Sequence, residues 1–76
     1  MFLEVKNATY LNEYKILLEF NNGVEKTVDL KSKLNGEVFE PLTGLNCFRR
    51  FTIRFNTIEW NNGADFAPEY LYEIGK

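Results

Sequence analysis

From residue 14 the chain alternates strictly, with Tyr14, Ile16, Leu18 and Phe20 on one side and Lys15, Leu17 and Glu19 on the other. Only an extended strand places every second side chain on the same face. Asn21-Asn22-Gly23 follows at once, and Asn-Gly supplies the positive φ angles of a tight hairpin turn. Val24, Lys26, Val28 and Leu30, alternating with Glu25, Thr27 and Asp29, therefore pair back antiparallel. A one-residue slip would turn the apolar set out to water, so the alternation also sets the register.

The flanking segments extend this frame. Residues 2–10 read as a first strand, with Leu3 and Val5 in alternation, and Leu11-Asn12-Glu13 turns the chain into the second. Asp29 or Ser32 is placed to cap a short helical turn that Asn35-Gly36 ends. Pro41 disfavours helix at Glu40, and Leu45 and Phe48 have the spacing of one helical turn. Phe51, Ile53 and Phe55 alternate with Thr52 and Arg54 as a further strand, linked by Asn56-Thr57 to Ile58-Glu59-Trp60 in a second antiparallel hairpin. Asn61-Asn62-Gly63 ends it in the same way as the earlier Asn-Asn-Gly run. Pro68 fits the first position of a C-terminal helix preceded by Ala67 or Asp65, with Glu69 in its first turn and Gly75 at its stop. Leu71 and Ile74 of that helix are expected to anchor it on the sheet near Trp60.

These elements predict an α+β fold, a small mixed domain of antiparallel hairpins covered by short helices. The buried set expected from the alternation is Ile16, Leu18, Phe20, Val28, Phe51, Ile53 and Phe55. At 76 residues there is room for one core, so residues 1–76 are read as a single domain. Seven Phe, four Tyr and one Trp are far too much apolar surface for a disordered chain. Domains of this size are held by a thin margin and commonly gain stability by self-association, which makes a homodimer the natural expectation.

The order of Leu18-Glu19-Phe20-Asn21-Asn22-Gly23, Val28-Asp29-Leu30, Phe39-Glu40-Pro41-Leu42 and Phe48 is distinctive. It continues through Ile58-Glu59-Trp60-Asn61-Asn62-Gly63 and Ala64-Asp65-Phe66-Ala67-Pro68-Glu69-Tyr70-Leu71-Tyr72. Along nearly the whole chain this resembles the bacterial domain of unknown function family 2442, and the closing stretch carries most of the specificity. The resemblance implies the same mixed arrangement of hairpins and short helices, and it implies no activity. Some relatives carry an added helix-turn-helix domain, whereas this chain stops at Lys76, so a DNA-binding role belonging to such a domain is not carried over. The family pattern has a proline after the tryptophan, and here that position is Asn61.

The residue inventory bounds the chemistry. There is no histidine, which removes Ser-His-Asp and Cys-His mechanisms, HExxH metal sites and histidine general bases. Cys47 is the only cysteine, so no internal disulfide or CxxC metal site can form, and a reducing cytoplasm is the expected compartment. Charged residues interrupt every apolar run, so no membrane span or signal peptide is expected. The Gly23 and Gly63 turns lack phosphate-binding patterns. No catalytic residue, cofactor or metal is therefore expected, and the chain is read as a non-enzyme.

Three groups of residues remain as candidates. Trp60, Asn62, Asp65 and Tyr72 form a polar and aromatic set of the composition that recurs in protein contact surfaces, although Trp60 in the core and Asp65 as a helix cap is the plainer reading. Arg49, Arg50 and Arg54 form the only basic cluster, interleaved with Phe48, Phe51 and Phe55 in the mixture that single strands of nucleic acid favour. The formal net charge of −2 and the core-facing alternation of the phenylalanines oppose that use. Asp29 and Asp65, among eleven carboxylates, would have to meet across a cleft for hydrolysis or cation binding, and their spacing matches no ligand loop. The leading expectation is thus a non-enzymatic module that recognises a protein partner or itself, through the region from Trp60 to Tyr72 or an exposed strand edge. A DNA-associated regulatory accessory and a carboxylate-based small-molecule enzyme or binding protein are the alternatives.

Overall fold

The computed structural model describes residues 2–76. Three strands, β1 (Val5–Asn12), β2 (Lys15–Phe20) and β3 (Glu25–Asp29), form an antiparallel sheet in the order β1-β2-β3. Ile16 lies opposite Val28, and Ile16, Leu18, Phe20 and Val28 are all buried on one face, as their alternation requires. Lys26, opposite Leu18, shares that face. Its stem runs inward, while its ammonium lies 4.0 Å from the centre of the Tyr72 ring and donates to the Tyr72 carbonyl at 2.8 Å. An apolar stem with a charged tip resting on a helix end is how a lysine occupies an inner face without a buried charge.

Two details of this sheet depart from the sequence reading. The first strand runs on to Asn12, because a register shift between Tyr10 and Asn12 lets Leu11 bulge and Asn12 still pair with Lys15. The turn therefore falls at Glu13-Tyr14, with Glu13 left-handed at φ 46°. In the Asn21-Asn22-Gly23 turn only Gly23 has positive φ, at 85°, so the loop is not a two-residue turn on Asn22-Gly23. The Gly23 amide donates to the Phe20 carbonyl and the Phe20 amide to the Val24 carbonyl, each at 2.9 Å, which makes a three-residue loop with a left-handed glycine bulge. Trp60-Asn61-Asn62-Gly63-Ala64 repeats both bonds at 2.9 Å with Gly63 at φ 88°. In both loops the second Asn accepts the amide two residues on, Val24 for Asn22 and Ala64 for Asn62.

Beyond β3 the chain makes a short 3-10 turn at Lys31–Lys33, where the Asp29 carboxylate accepts the Lys31 amide. A second 3-10 turn, Glu40–Thr43, places Pro41 in its first turn, where a missing N–H costs nothing. It leads into α1 (Leu45–Phe48), whose one buried residue is Phe48. Tyr14 packs edge-on against the Phe48 ring at 5.2 Å between centroids and donates its hydroxyl to the Thr43 carbonyl, tying this irregular arm to the first hairpin.

The second hairpin pairs β4 (Thr52–Arg54) with β5 (Thr57–Glu59), with Ile53 opposite Ile58. Here the expected burial fails: Phe51 is half-buried, Ile53 is 41% exposed and Phe55 is 76% exposed. In this two-stranded sheet the buried side chains are those of β5, Thr57 and Ile58, while all three residues of β4 are exposed. The turn residues are Phe55 and Asn56, at φ 53° and 69°, rather than Asn56 and Thr57, and this takes Phe55 out of the strand alternation.

α2 (Pro68–Ile74) starts at Pro68 with Ala67 as N-cap, and it buries Leu71 with Ile74 half-buried. No side chain caps it, so Asp65 is not a helix cap; it forms an isolated antiparallel bridge with Glu59. Past α2, Lys76 exchanges two backbone hydrogen bonds with Thr27, covering the outer edge of β3. Val5, Leu30, Leu34, Leu42, Phe48, Ile58, Trp60, Ala64 and Phe66 complete one buried cluster with the sheet residues and Leu71. The architecture is α+β, two antiparallel sheets of three and two strands with short helices, one of them C-terminal. Among the described residues no helix is long and apolar enough to cross a membrane.

Candidate functional site

The interior of the molecule is organised around Trp60. Its indole N–H donates to the Phe48 carbonyl at 2.6 Å, and its ring meets those of Phe48, Phe51 and Phe66. At 3% exposure it is a core residue whose polar atom is satisfied internally. It is also one of seven residues around a shallow surface cavity of about 170 Å³. Pro41 and Leu42 come from the second 3-10 turn, Asn61 and Asn62 from the loop after Trp60, and Cys47 and Arg50 from α1 and the residues after it. Cys47 is a free, exposed thiol.

Of the four residues read as a contact surface, Trp60 and Asn62 meet at this cavity. Asn62 is engaged at both ends of its amide, donating to the Val38 carbonyl at 2.7 Å while accepting the Ala64 amide at 3.1 Å. It therefore holds the loop in shape and pins it to the 36–39 turn. Asp65 is exposed on the far side of the same loop, bridged to Glu59. Tyr72 belongs elsewhere: its ring packs edge-on against Phe20 at 5.0 Å, and its hydroxyl faces the Asn22 amide at 3.5 Å, beside the other Asn-Asn-Gly loop.

The three arginines have separate surroundings. Arg49 is exposed just past α1, and Arg50 lines the cavity. Arg54 stands on the second hairpin, 5.1 Å from the centre of the Phe55 ring and 3.8 Å from the Glu59 carboxylate. That ion pair is exposed on the arginine side and contributes little to stability. Among the described residues no group of three Cys, Asp or Glu side chains gathers in a metal-binding arrangement.

The second prominent feature is the tip of the β4–β5 hairpin, which sequence reasoning did not single out. The Asn56 carbonyl accepts the Val5 amide at 2.9 Å, so the tip is fixed to the first strand of the large sheet. Phe55 stands at this fixed point in a left-handed conformation, with Arg54 against it. The available signal was Thr57, a β-branched residue that resists positive φ and so disfavours the Asn56-Thr57 turn, although Phe55 resists it as well.

A small α+β domain with a three-stranded sheet, a two-stranded hairpin and a C-terminal helix is thus defined. The family described as protein of unknown function (DUF2442) matches residues 5–76, and the chain belongs to that family. No curated protein and no solved structure matches it.

Proposed function

We propose that this domain is a non-enzymatic protein-interaction module that makes contact through the tip and outer edge of the β4–β5 hairpin. The observation that supports it is Phe55, which combines 76% exposure with φ 53°. A bulky residue in the left-handed region costs about 1–2 kcal/mol, and the exposed ring, with Arg54 at 5.1 Å as its neighbour, returns only part of this to the monomer. Such a residue is maintained by what it touches in another molecule. Ile53, next along the outer edge, adds a second apolar side chain. In a two-residue hairpin the pair flanking the turn is hydrogen-bonded, which leaves the N–H and C=O of Ile53 pointing away from β5 as a short template for strand addition.

The lack of histidine supports a non-enzymatic reading, and the exposed free Cys47 suits a reducing, cytoplasmic setting. The DNA-associated alternative gains no support, because Arg54 is paired with Glu59 and stands apart from the surroundings of Arg49 and Arg50. The test compares the wild type with Phe55→Asn in light scattering and in affinity capture from the native cell. Loss of self-association or of a specific captured protein in the variant, with melting unimpaired, supports the reading. An identical profile for both proteins overturns it.

A further inference from the structure

We infer that the partner met by the β4–β5 hairpin is a second copy of this chain, joined β4 to β4 in antiparallel fashion about Ile53; this rests on the interaction reading above. The far edge of β5 is already engaged, since Glu59 is bridged to Asp65 and the Thr57 hydroxyl donates to the Phe66 carbonyl. An added strand must therefore come to β4, all three residues of which are exposed. A two-stranded sheet is marginal by itself, whereas pairing through β4 makes one sheet of four strands.

The side chains decide what can pair there. Ile53 lies directly opposite Ile58, which is fully buried, so Ile53 belongs to the inner face and carries it to the margin of the sheet. An apolar neighbour in the next strand would cover the 41% of Ile53 that is still exposed. Thr52 and Arg54 take the outer face, with Thr52 opposite Glu59.

The chain supplies the required neighbour itself. Only alternate residues of β4 turn their N–H and C=O outward, so antiparallel copies can meet only in steps of two residues. With Ile53 opposite Ile53, the two isoleucines exchange backbone bonds, Thr52 faces Arg54 of the second copy, and each Phe55 arrives beside Phe51 of the other chain. A step one way sets Arg54 opposite Arg54, and a step the other way brings it toward Arg50. Like charges oppose both, so the register centred on Ile53 is the one the sequence permits. A formal net charge of only −2 adds little long-range repulsion between copies. An acidic strand from another protein is the competing occupant, and the test separates the two.

Sedimentation of the intact chain from about 10 μM to about 1 mM should show a monomer–dimer equilibrium with a Kd on the order of 0.1 mM, the weak end expected of so short an edge. Over that range amide exchange at Ile53 should slow about fourfold, as the dimer fraction rises. Exchange at Thr27, whose amide is already bonded to the Lys76 carbonyl, should not change. Thr52→Lys sets an ammonium against Arg54 of the second copy but against Glu59 of its own chain. It should raise the Kd about fivefold without lowering the melting temperature. Adding Arg54→Glu turns the same two contacts into opposite-charge pairs, and dimerisation should return to wild-type strength or better. A chain that is monomeric at about 1 mM overturns the proposal. So does a dimer in which Ile53 exchange ignores concentration or Thr52→Lys costs nothing, or a double variant no tighter than Thr52→Lys alone. A monomeric chain that captures a protein lost in Phe55→Asn overturns the second copy and leaves the interaction reading standing. Association unaffected by both Phe55→Asn and Thr52→Lys overturns both.

Discussion

Trp60 donates its indole N–H to the Phe48 carbonyl at 2.6 Å inside the core, joining the second hairpin to the last turn of α1. Two segments that share no sheet are thereby held by one buried bond. Trp60→Phe keeps most of the ring but leaves that carbonyl without its donor and opens a void. The expected loss is about 2–4 kcal/mol, read as a lower midpoint at unchanged slope in urea unfolding. A loss under about 0.5 kcal/mol would mean that water or a rearranged side chain satisfies Phe48.

The two Asn-Asn-Gly loops carry the same pair of backbone bonds and the same left-handed glycine. A Cβ on Gly23 or Gly63 would meet nothing within 4 Å, so conformational strain is the only penalty at either place. Gly23→Ala and Gly63→Ala should each lower stability by about 1 kcal/mol, and the double variant should lose close to the sum. Asn22→Ala should lose about as much by a different route, since it removes the acceptor of the Val24 amide rather than straining φ. Thermal melts of the four proteins distinguish these contributions.

Phe55→Asn places at φ 53° a residue that tolerates the left-handed region, and it removes an exposed ring that packs only against Arg54. The variant should be more stable than the wild type by up to about 1 kcal/mol. A domain stabilised by losing an aromatic residue has kept that residue for some purpose other than folding. A lower melting temperature for Phe55→Asn would show that the ring serves the monomer after all.

The pairing of β2 with β3 was legible, though the type of its loop was not, because the two strands carry the periodic signal themselves. Ile16, Leu18, Phe20 and Val28 could face only one core. α2 was legible from Pro68 and the spacing of Leu71 and Ile74, for the same reason. β4 was not, because alternation states which residues share a face but not whether that face is covered. Phe51, Ile53 and Phe55 alternate as well as the β2 residues do, yet only Ile53 lies within β4, and the buried positions of this hairpin belong to β5. The cavity was hidden for a related reason: Pro41, Cys47, Arg50 and Asn61 come from segments joined only by tertiary packing around Trp60. Lys26 is an instructive intermediate case. Its place beside Val28 on the inner face followed from the alternation, but the Tyr72 carbonyl and ring that receive its ammonium lie 46 residues away in sequence.

Gly75 stands in the sequence as the helix stop, and its φ is −70°, which any residue can adopt. Its smallness serves another end. A Cβ built there would lie 2.7 Å from the Lys26 Cβ and 3.0 Å from the Leu71 carbonyl, where neither neighbour is the loose end of a side chain. The close approach lets the chain past α2 reach β3, where Lys76 and Thr27 exchange their two backbone bonds, and it seats Tyr72 over the Lys26 ammonium. Gly75→Ala should therefore push the end of α2 away from the sheet and cost about 1–3 kcal/mol, the range of an overpacked contact. The damage should be local as well as global: amide exchange at Thr27 should accelerate more than at Ile16 or Leu18 in the middle of the sheet. Lys26→Gly in the same background removes the obstructing Cβ, and it should recover part of the Thr27 protection despite the loss of the contact with Tyr72. Protection at Thr27 unchanged by Gly75→Ala would mean that the end of α2 is not held against β3, and that Leu71 alone docks the helix.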